Sequence, residues 1–130
     1  MKLLVDTHIW LWMLTAPERM NEAARDAIVD PANEVIVSVA SAWEVAIKHA
    51  LGKLPLQAPP TRLVEISVAM LAVSVLPIAL DHALAAASLP AHHRDPFDRM
   101  LVAQAQLDGL TLVTADDAIR QYGCMLLWAA

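Results

Sequence analysis

The period of apolar residues changes repeatedly along the chain, and each change marks an element. Lys2 to Val5 is a short apolar run that reads as a strand and ends at Asp6-Thr7-His8. Ile9 to Leu14, carrying Trp10 and Trp12, reads as a helix that Pro17 breaks. Asn21 is placed to cap a second helix running to about Asp30, closed by Pro31 and Asn33. Glu34 to Ser38 (EVIVS) is the next strand, and Ser41 to Leu51 a helix ended by Gly52. Beyond a loop from Lys53 to Pro60, Thr61 caps a helix to about Ala72, and Val73 to Leu76 is a strand stopped by Pro77. Asp81 to Ser88 is an Ala-rich helix, and Leu89 to Arg94 a loop.

The clearest helix start follows. Asp95 suits the N-cap, Pro96 the first helical position, where a missing N–H costs nothing, and Asp98 falls at N3. Phe97, Met100, Leu101 and Ala105 give an apolar face at helical spacing, and Gly109 stands where a left-handed residue ends a helix. Leu110 to Thr114 is then a strand, Asp117 to Tyr122 a short helix and Cys124 to Trp128 a last strand. Gly123, like Gly52 and Gly109, reads as a helix C-cap.

Strands alternate with helices, and no Asn-Gly or Asp-Gly turn joins two strand runs. That order predicts an α/β fold, a parallel sheet with helices on both faces, as one domain over residues 1–130. In such sheets ligands gather at the carboxyl ends of the strands, where helix N-termini also point. Asp6, Glu44, Asp98 and Asp116 all fall there.

Composition sharpens this picture. A hydrophobic fraction of 58% with 18% charged residues excludes disorder over most of the length. The surplus suits strands buried on both faces, or an apolar surface kept for a partner. The most apolar stretch, Ile66 to Leu80, is too short and too interrupted to cross a bilayer. The start shows no signal-peptide pattern, and the single cysteine, Cys124, fits a reducing cytoplasm as a small buried hydrophobe. A net charge of −5 argues against a general nucleic-acid coat protein, although two bound divalent cations would reduce it to −1.

Each acid has an ordinary structural explanation. Ser41-Ala42-Trp43-Glu44 and Thr114-Ala115-Asp116-Asp117 both match the capping box, and Asp98 at N3 favours the helix dipole. Asp6 is different, because it ends an apolar strand with no helix evidently needing it. Four carboxylates at one end of one sheet would repel by about 4 kcal/mol per pair at 4 Å and an effective dielectric near 20. Capping contributes only about 1 kcal/mol per site, so it does not account for such crowding. Bound cations do. All-oxygen ligands with no nearby Cys suit Mg²⁺ or Mn²⁺, one or two ions that would activate water and steady a phosphoryl displacement.

Other chemistries have little support. No phosphate-cradling glycine motif occurs, and no nucleophile elbow for a Ser-His-Asp triad. His92 and His93 are adjacent in a loop and read as solvated rather than as metal ligands, and His8 reads as packed or surface. Arg94 and Arg99 flank Asp98, and Lys48 lies one turn beyond Glu44, so all three are candidate donors to a scissile phosphate. An i,i+4 pair with Glu44 explains Lys48 equally well. Trp10, Trp12, Trp43 and Trp128 read as core or interface.

Taken together, Leu4-Val5-Asp6-Thr7-His8, Ser41-Ala42-Trp43-Glu44-Val45-Ala46-Ile47-Lys48 with Leu51-Gly52-Lys53-Leu54, His93-Arg94-Asp95-Pro96-Phe97-Asp98-Arg99 with Ala103-Gln104-Ala105, and Leu112-Val113-Thr114-Ala115-Asp116 resemble the PIN-domain ribonucleases. Within them the chain resembles the VapC toxins of bacterial toxin–antitoxin pairs. The resemblance spans essentially the whole chain. It implies a three-layer α/β/α, Rossmann-like PIN fold with a central, mainly parallel sheet, and Asp6, Glu44, Asp98 and Asp116 as an acidic quartet. Asp98 rather than Asp95 matches the third acid, with Asp95 and Thr114 in supporting places around the metal. It further implies hydrolysis of RNA, such as transfer RNA, with Mg²⁺ or Mn²⁺. Homodimerisation and silencing by a VapB-like antitoxin are implied as well. Two other readings stand beside it. One is a phosphatase or phosphotransfer domain with Asp6 as nucleophile, weakened by His8 where a second Asp is needed. The other is a catalytically silent interaction module.

Overall fold

A computed structural model describes residues Met1–Ala130. Five strands, β1 (Lys2–Val5), β2 (Glu34–Ser38), β3 (Ser74–Leu76), β4 (Thr111–Thr114) and β5 (Leu126–Trp128), form one sheet in the order β3-β2-β1-β4-β5. Every pairing is parallel; Leu4, for example, lies opposite Ile36 on one side and Leu112 on the other. Six helices connect and cover it: α1 (Thr7–Thr15), α2 (Glu22–Val29), α3 (Val39–Ala50), α4 (Pro60–Leu71), α5 (Leu80–Ser88) and α6 (Pro96–Asp108).

The strands are apolar at nearly every position because both faces are buried. Leu3, Val5, Val35, Val37 and Val113 point into one core with Ile9 and Trp10 of α1, Val45 of α3 and Leu63 of α4. Leu4, Ile36 and Leu112 point into the other with Leu101, Val102 and Ala105 of α6. These are the three layers that the alternation of strands and helices predicts.

Several boundaries differ from the sequence reading, each for a local reason. Helix α1 begins at Thr7 rather than Ile9, because the Asp6 carboxylate caps it by accepting from the Ile9 N–H at 2.8 Å. Helix α3 follows β2 without a loop: Ser38, not Ser41, is its N-cap and accepts from the Ala40 N–H at 3.0 Å. The capping box expected at Ser41–Glu44 is therefore not formed. Helix α4 starts at Pro60 without a side-chain cap, so Thr61 does not cap it. Ala72 takes a left-handed φ of +53° there, and β3 begins one residue later than expected, at Ser74. Only a single 3₁₀ turn, Ile119–Gln121, forms where a helix from Asp117 was expected, and Gly123 does not take a positive φ. Gly109 does, at +66°, and ends α6 as read.

The chain leaves β1 toward β2 and β3 and returns to place β4 and β5 on the other side. The switch point of the topology thus lies between the carboxyl ends of β1 and β4, where open parallel sheets hold their ligands. No helix is long and apolar enough to cross a membrane.

Candidate active site

Asp6 directly follows β1, and its N–H still pairs with the Val113 carbonyl at 3.0 Å, so the strand ladder fixes its backbone. It is 3% exposed. One carboxylate oxygen caps α1, and the other accepts from the Thr114 hydroxyl at the end of β4. Burial raises its pKa above the ordinary 3.8, against the pull of the Thr114 and Ile9 hydrogen bonds and of His8, while the nearby Asp116 charge adds to the rise.

Glu44 is 2% exposed and stands in the second turn of α3. Because α3 starts at Val39, dipole or cap stabilisation at a helix start does not explain this acid. Its partners are specific. Thr7 Oγ1 donates to Glu44 Oε1 at 2.7 Å and lies 3.0 Å from Ser41 Oγ, and the Lys48 ammonium donates to Glu44 Oε2. That hydrogen bond holds the Lys48 pKa above 10.5, aided by the charges of Glu44, Asp95 and Asp98.

Asp98 is at N3 of α6, as the Asp95-Pro96 start requires. Asp95 Oδ1 accepts from the Phe97 N–H at 2.8 Å and the Asp98 N–H at 3.3 Å. Desolvation raises the Asp98 pKa to about 7, helped by the charges of Asp95, Glu44 and Asp6 and opposed by His93. Asp116 is fixed through Thr114, whose hydroxyl accepts from the Asp116 N–H at 3.1 Å, and its Oδ1 accepts from the Ala118 N–H at 2.9 Å. Thr114 thus joins Asp6 to Asp116.

His93, read from the sequence as a solvated loop residue, is at the centre of this group. Its Nε2 donates to Asp116 Oδ2 at 2.9 Å and lies 3.0 Å from Asp98 Oδ2. The Asp95 N–H donates to Nδ1 at 3.1 Å, which leaves the proton on Nε2. Burial opposes the charged form, but Asp116, Asp98 and Asp95 together raise the His93 pKa above 6.5. Tyr122, also missed from sequence, holds the same loop: its hydroxyl donates to the Pro90 carbonyl at 2.8 Å and accepts from the His93 N–H at 2.9 Å. The available signal was the Asp-Pro helix start, since the segment ahead of it has to fold back over the sheet end.

The basic candidates part company. Arg99 turns its guanidinium to the carbonyls of Ala86, Leu89, Pro90 and His93, at 2.8–3.2 Å, and so clamps the loop instead of facing the acids. Lys48 is tied to Glu44, and Arg94 is exposed without a polar partner. On the other flank a depression of about 450 Å³ is lined by Asp6, His8, Trp12, Ala115, Asp116 and Asp117.

His93, Asp98 and Asp116 offer ligand atoms that all lie within 4.8 Å of one another. Asp6 is linked to this trio through Thr114, and Asp98 is raised by the charges of both Asp6 and Glu44. Hard carboxylate oxygens gathered this closely, with one of them reluctant to ionise, fit a small divalent cation of the Mg²⁺ or Mn²⁺ type.

Comparison with known proteins agrees with this geometry. The sequence profile of the PIN domain matches residues 3–123. Ribonuclease VapC22 of Mycobacterium tuberculosis is 30% identical over 122 residues, covering 92% of this chain and 90% of that protein. Ribonuclease VapC16 of the same organism is 38% identical over 68 residues, or 52% of this chain; that match spans about half of the relative, 46% of its length. Among solved structures, a chain of VapBC2 from Rickettsia felis, bound to a DNA fragment from its promoter, superposes with a TM-score of 0.74 at 12% identity, over 100% of both chains. A chain of DNA-bound VapBC from Salmonella typhimurium gives 0.69 at 17% identity, over 98% of this chain and 97% of that one. At these identities the likeness extends to the fold.

Proposed function

The chain belongs to the PIN-domain family, and on that premise we propose that it is a metal-dependent endoribonuclease, the toxin of a toxin–antitoxin pair. The observation that carries the reading is the convergence of Asp98 and Asp116 on one point, with Asp6 joined to Asp116 through Thr114 and Glu44 close enough to raise Asp98.

Asp6, Asp98 and Asp116 are the candidate ligands of a divalent cation, with Glu44 beside them directly or through water. Mg²⁺ or Mn²⁺, when bound, supplies positive charge against the phosphate and lowers the pKa of water. The chain's own groups do the rest. Thr114 and the α1 N-terminus hold both oxygens of Asp6 in one rotamer, and Thr7 and Lys48 hold those of Glu44. Lys48 and Arg94 provide cations for the phosphates of the strand being cut. In-line attack of water on phosphorus breaks the bond to the 3′ oxygen and leaves 5′-phosphate and 3′-hydroxyl ends.

The phosphatase alternative is weaker because His8 stands where a second Asp is needed. The partners we propose are RNA, a VapB-like antitoxin and a second copy of the chain. The test is incubation of the purified protein with total RNA, with and without Mg²⁺. Cleavage that needs the ion and disappears in Asp6→Asn supports the reading. Cleavage that survives a chelator and leaves cyclic phosphate ends refutes it.

A further inference from the structure

We propose that Trp43, braced by Phe97, is a stacking platform for an unpaired nucleobase next to the scissile phosphate. The inference rests on the ribonuclease reading and adds to it the residue that receives a base beside the cut.

The four tryptophans differ in what they touch. Trp10 is fully buried and donates its indole N–H to Ser67 at 2.9 Å. Trp12 and Trp128 carry the guanidinium groups of Arg19 and Arg120 over their rings, at 5.0 Å and 3.4 Å. Trp43 is 58% exposed, and its ring neighbour is another aromatic, Phe97, edge to face at 5.3 Å and 81°. Such a contact fixes the plane of an indole and leaves area for a third ring.

The position of the pair argues for a base as that third ring. Trp43 immediately precedes Glu44 on α3, and Phe97 immediately precedes Asp98 on α6. The two side chains bridge the helices that carry two of the four acids, one residue along from each. Two cations stand in the same segments: Lys48, hydrogen-bonded to Glu44, and Arg94, exposed and unpaired. An aromatic face with cations beside it, adjoining a phosphate-cleaving centre, is the composition of single-strand binding grooves, which accept any base because every base has a π-face. A base in duplex RNA is stacked on its neighbours and has no free face to offer.

The competing occupant is a second copy of this chain. Val39, one turn earlier on α3, is also exposed, at 38%, and would extend an apolar stripe. The cations in the same two segments, Lys48 and Arg94, favour a phosphate-bearing occupant over a second apolar face.

The experiment compares the wild type, Trp43→Ala and Trp43→Tyr. The probe is a fluorescein-labelled single-stranded RNA of about a dozen nucleotides, free or annealed to its complement. Binding is read by anisotropy in the presence of Ca²⁺, oligomeric state by light scattering and folding by thermal melts. Loss of single-strand affinity by about tenfold to a hundredfold in Trp43→Ala, largely restored in Trp43→Tyr and absent for the duplex, supports the proposal. Unchanged single-strand affinity overturns it, and so does an affinity change that merely follows conversion of a dimer to monomers. A parallel incubation with total RNA and Mg²⁺ separates the two readings. If the wild type cleaves while Trp43→Ala binds and cleaves equally well, only the platform fails. If the wild type neither binds nor cleaves RNA, the ribonuclease reading fails and takes the platform with it.

Discussion

Asp6 and Glu44 form the floor of the site, Asp98 and Asp116 its rim, and the two pairs are held by different means. The floor acids are 3% and 2% exposed, and each is fixed by a threonine hydroxyl and one further donor, from β4 and α1 for Asp6 and from α1 and α3 for Glu44. The rim carboxylates are 17% and 38% exposed and meet at a single imidazole, in a loop that Arg99 and Tyr122 tie down. The difference teaches that this site has a preorganised half and an adjustable half. Burial and hydroxyl donors hold the floor carboxylates in place. The rim depends on a loop, and Asp98 shares its surroundings with one histidine and three other acids.

The largest effect expected is from Asp6→Asn and Asp98→Asn. Each should abolish RNA cleavage, exceeding the roughly 10–100-fold loss typical of residues that only support metal ligands. Circular dichroism should show both folded; if one cleaves normally, the floor and rim do not act on one centre.

Thr114→Val separates support from ligation. It removes the hydroxyl that serves both Asp6 and Asp116, and metal affinity measured by calorimetry should fall about 10–100-fold. Thr7→Val, which touches Glu44 alone, should weaken it less.

Arg99→Leu attacks the rim from behind. Freeing the carbonyls of Ala86, Leu89, Pro90 and His93 should cost about 1–3 kcal/mol, seen as a melting temperature lower by several degrees. A variant that melts normally would show that Arg99 does not hold the loop and leave it open as a phosphate contact.

The smallest effect is on pH dependence. With the Asp98 pKa near 7, a cation competes with a proton there, so metal affinity should fall by up to tenfold per unit as pH drops below 7. Stability of the chelated protein carries the opposite sign. The folded pKa lies above the unfolded value of 3.8, so the folded state binds the extra proton between about pH 4 and 7. This carboxyl's contribution therefore favours folding on the acid side and is lost as pH rises through 7. Melting temperatures in chelator, wild type against Asp98→Asn, measure it.

Much of this was legible in the letters where local rules decide. Asp95-Pro96 sets the register of α6 and so places Asp98, and apolar runs ending at Asp6 and Thr114 place the strand ends that meet at the switch point. Glu44 stands in the second turn of its helix instead of the first: a strand running straight into a helix moved the cap to Ser38 and buried Ser41 and Glu44. Asp6 was expected to cap nothing, yet it caps α1. His93, Tyr122 and Arg99 were illegible for one shared reason. Their partners lie across a folded loop, and a polar side chain's target depends on tertiary placement that no periodicity encodes.

The central claim, that rim and floor together hold one divalent cation, is tested most directly by calorimetric titration of Mn²⁺ into the metal-free protein at pH 8. The account predicts saturable binding that disappears in Asp98→Asn and in Asp6→Asn alike. Absence of binding by the wild type, or binding unchanged in either variant, would contradict it.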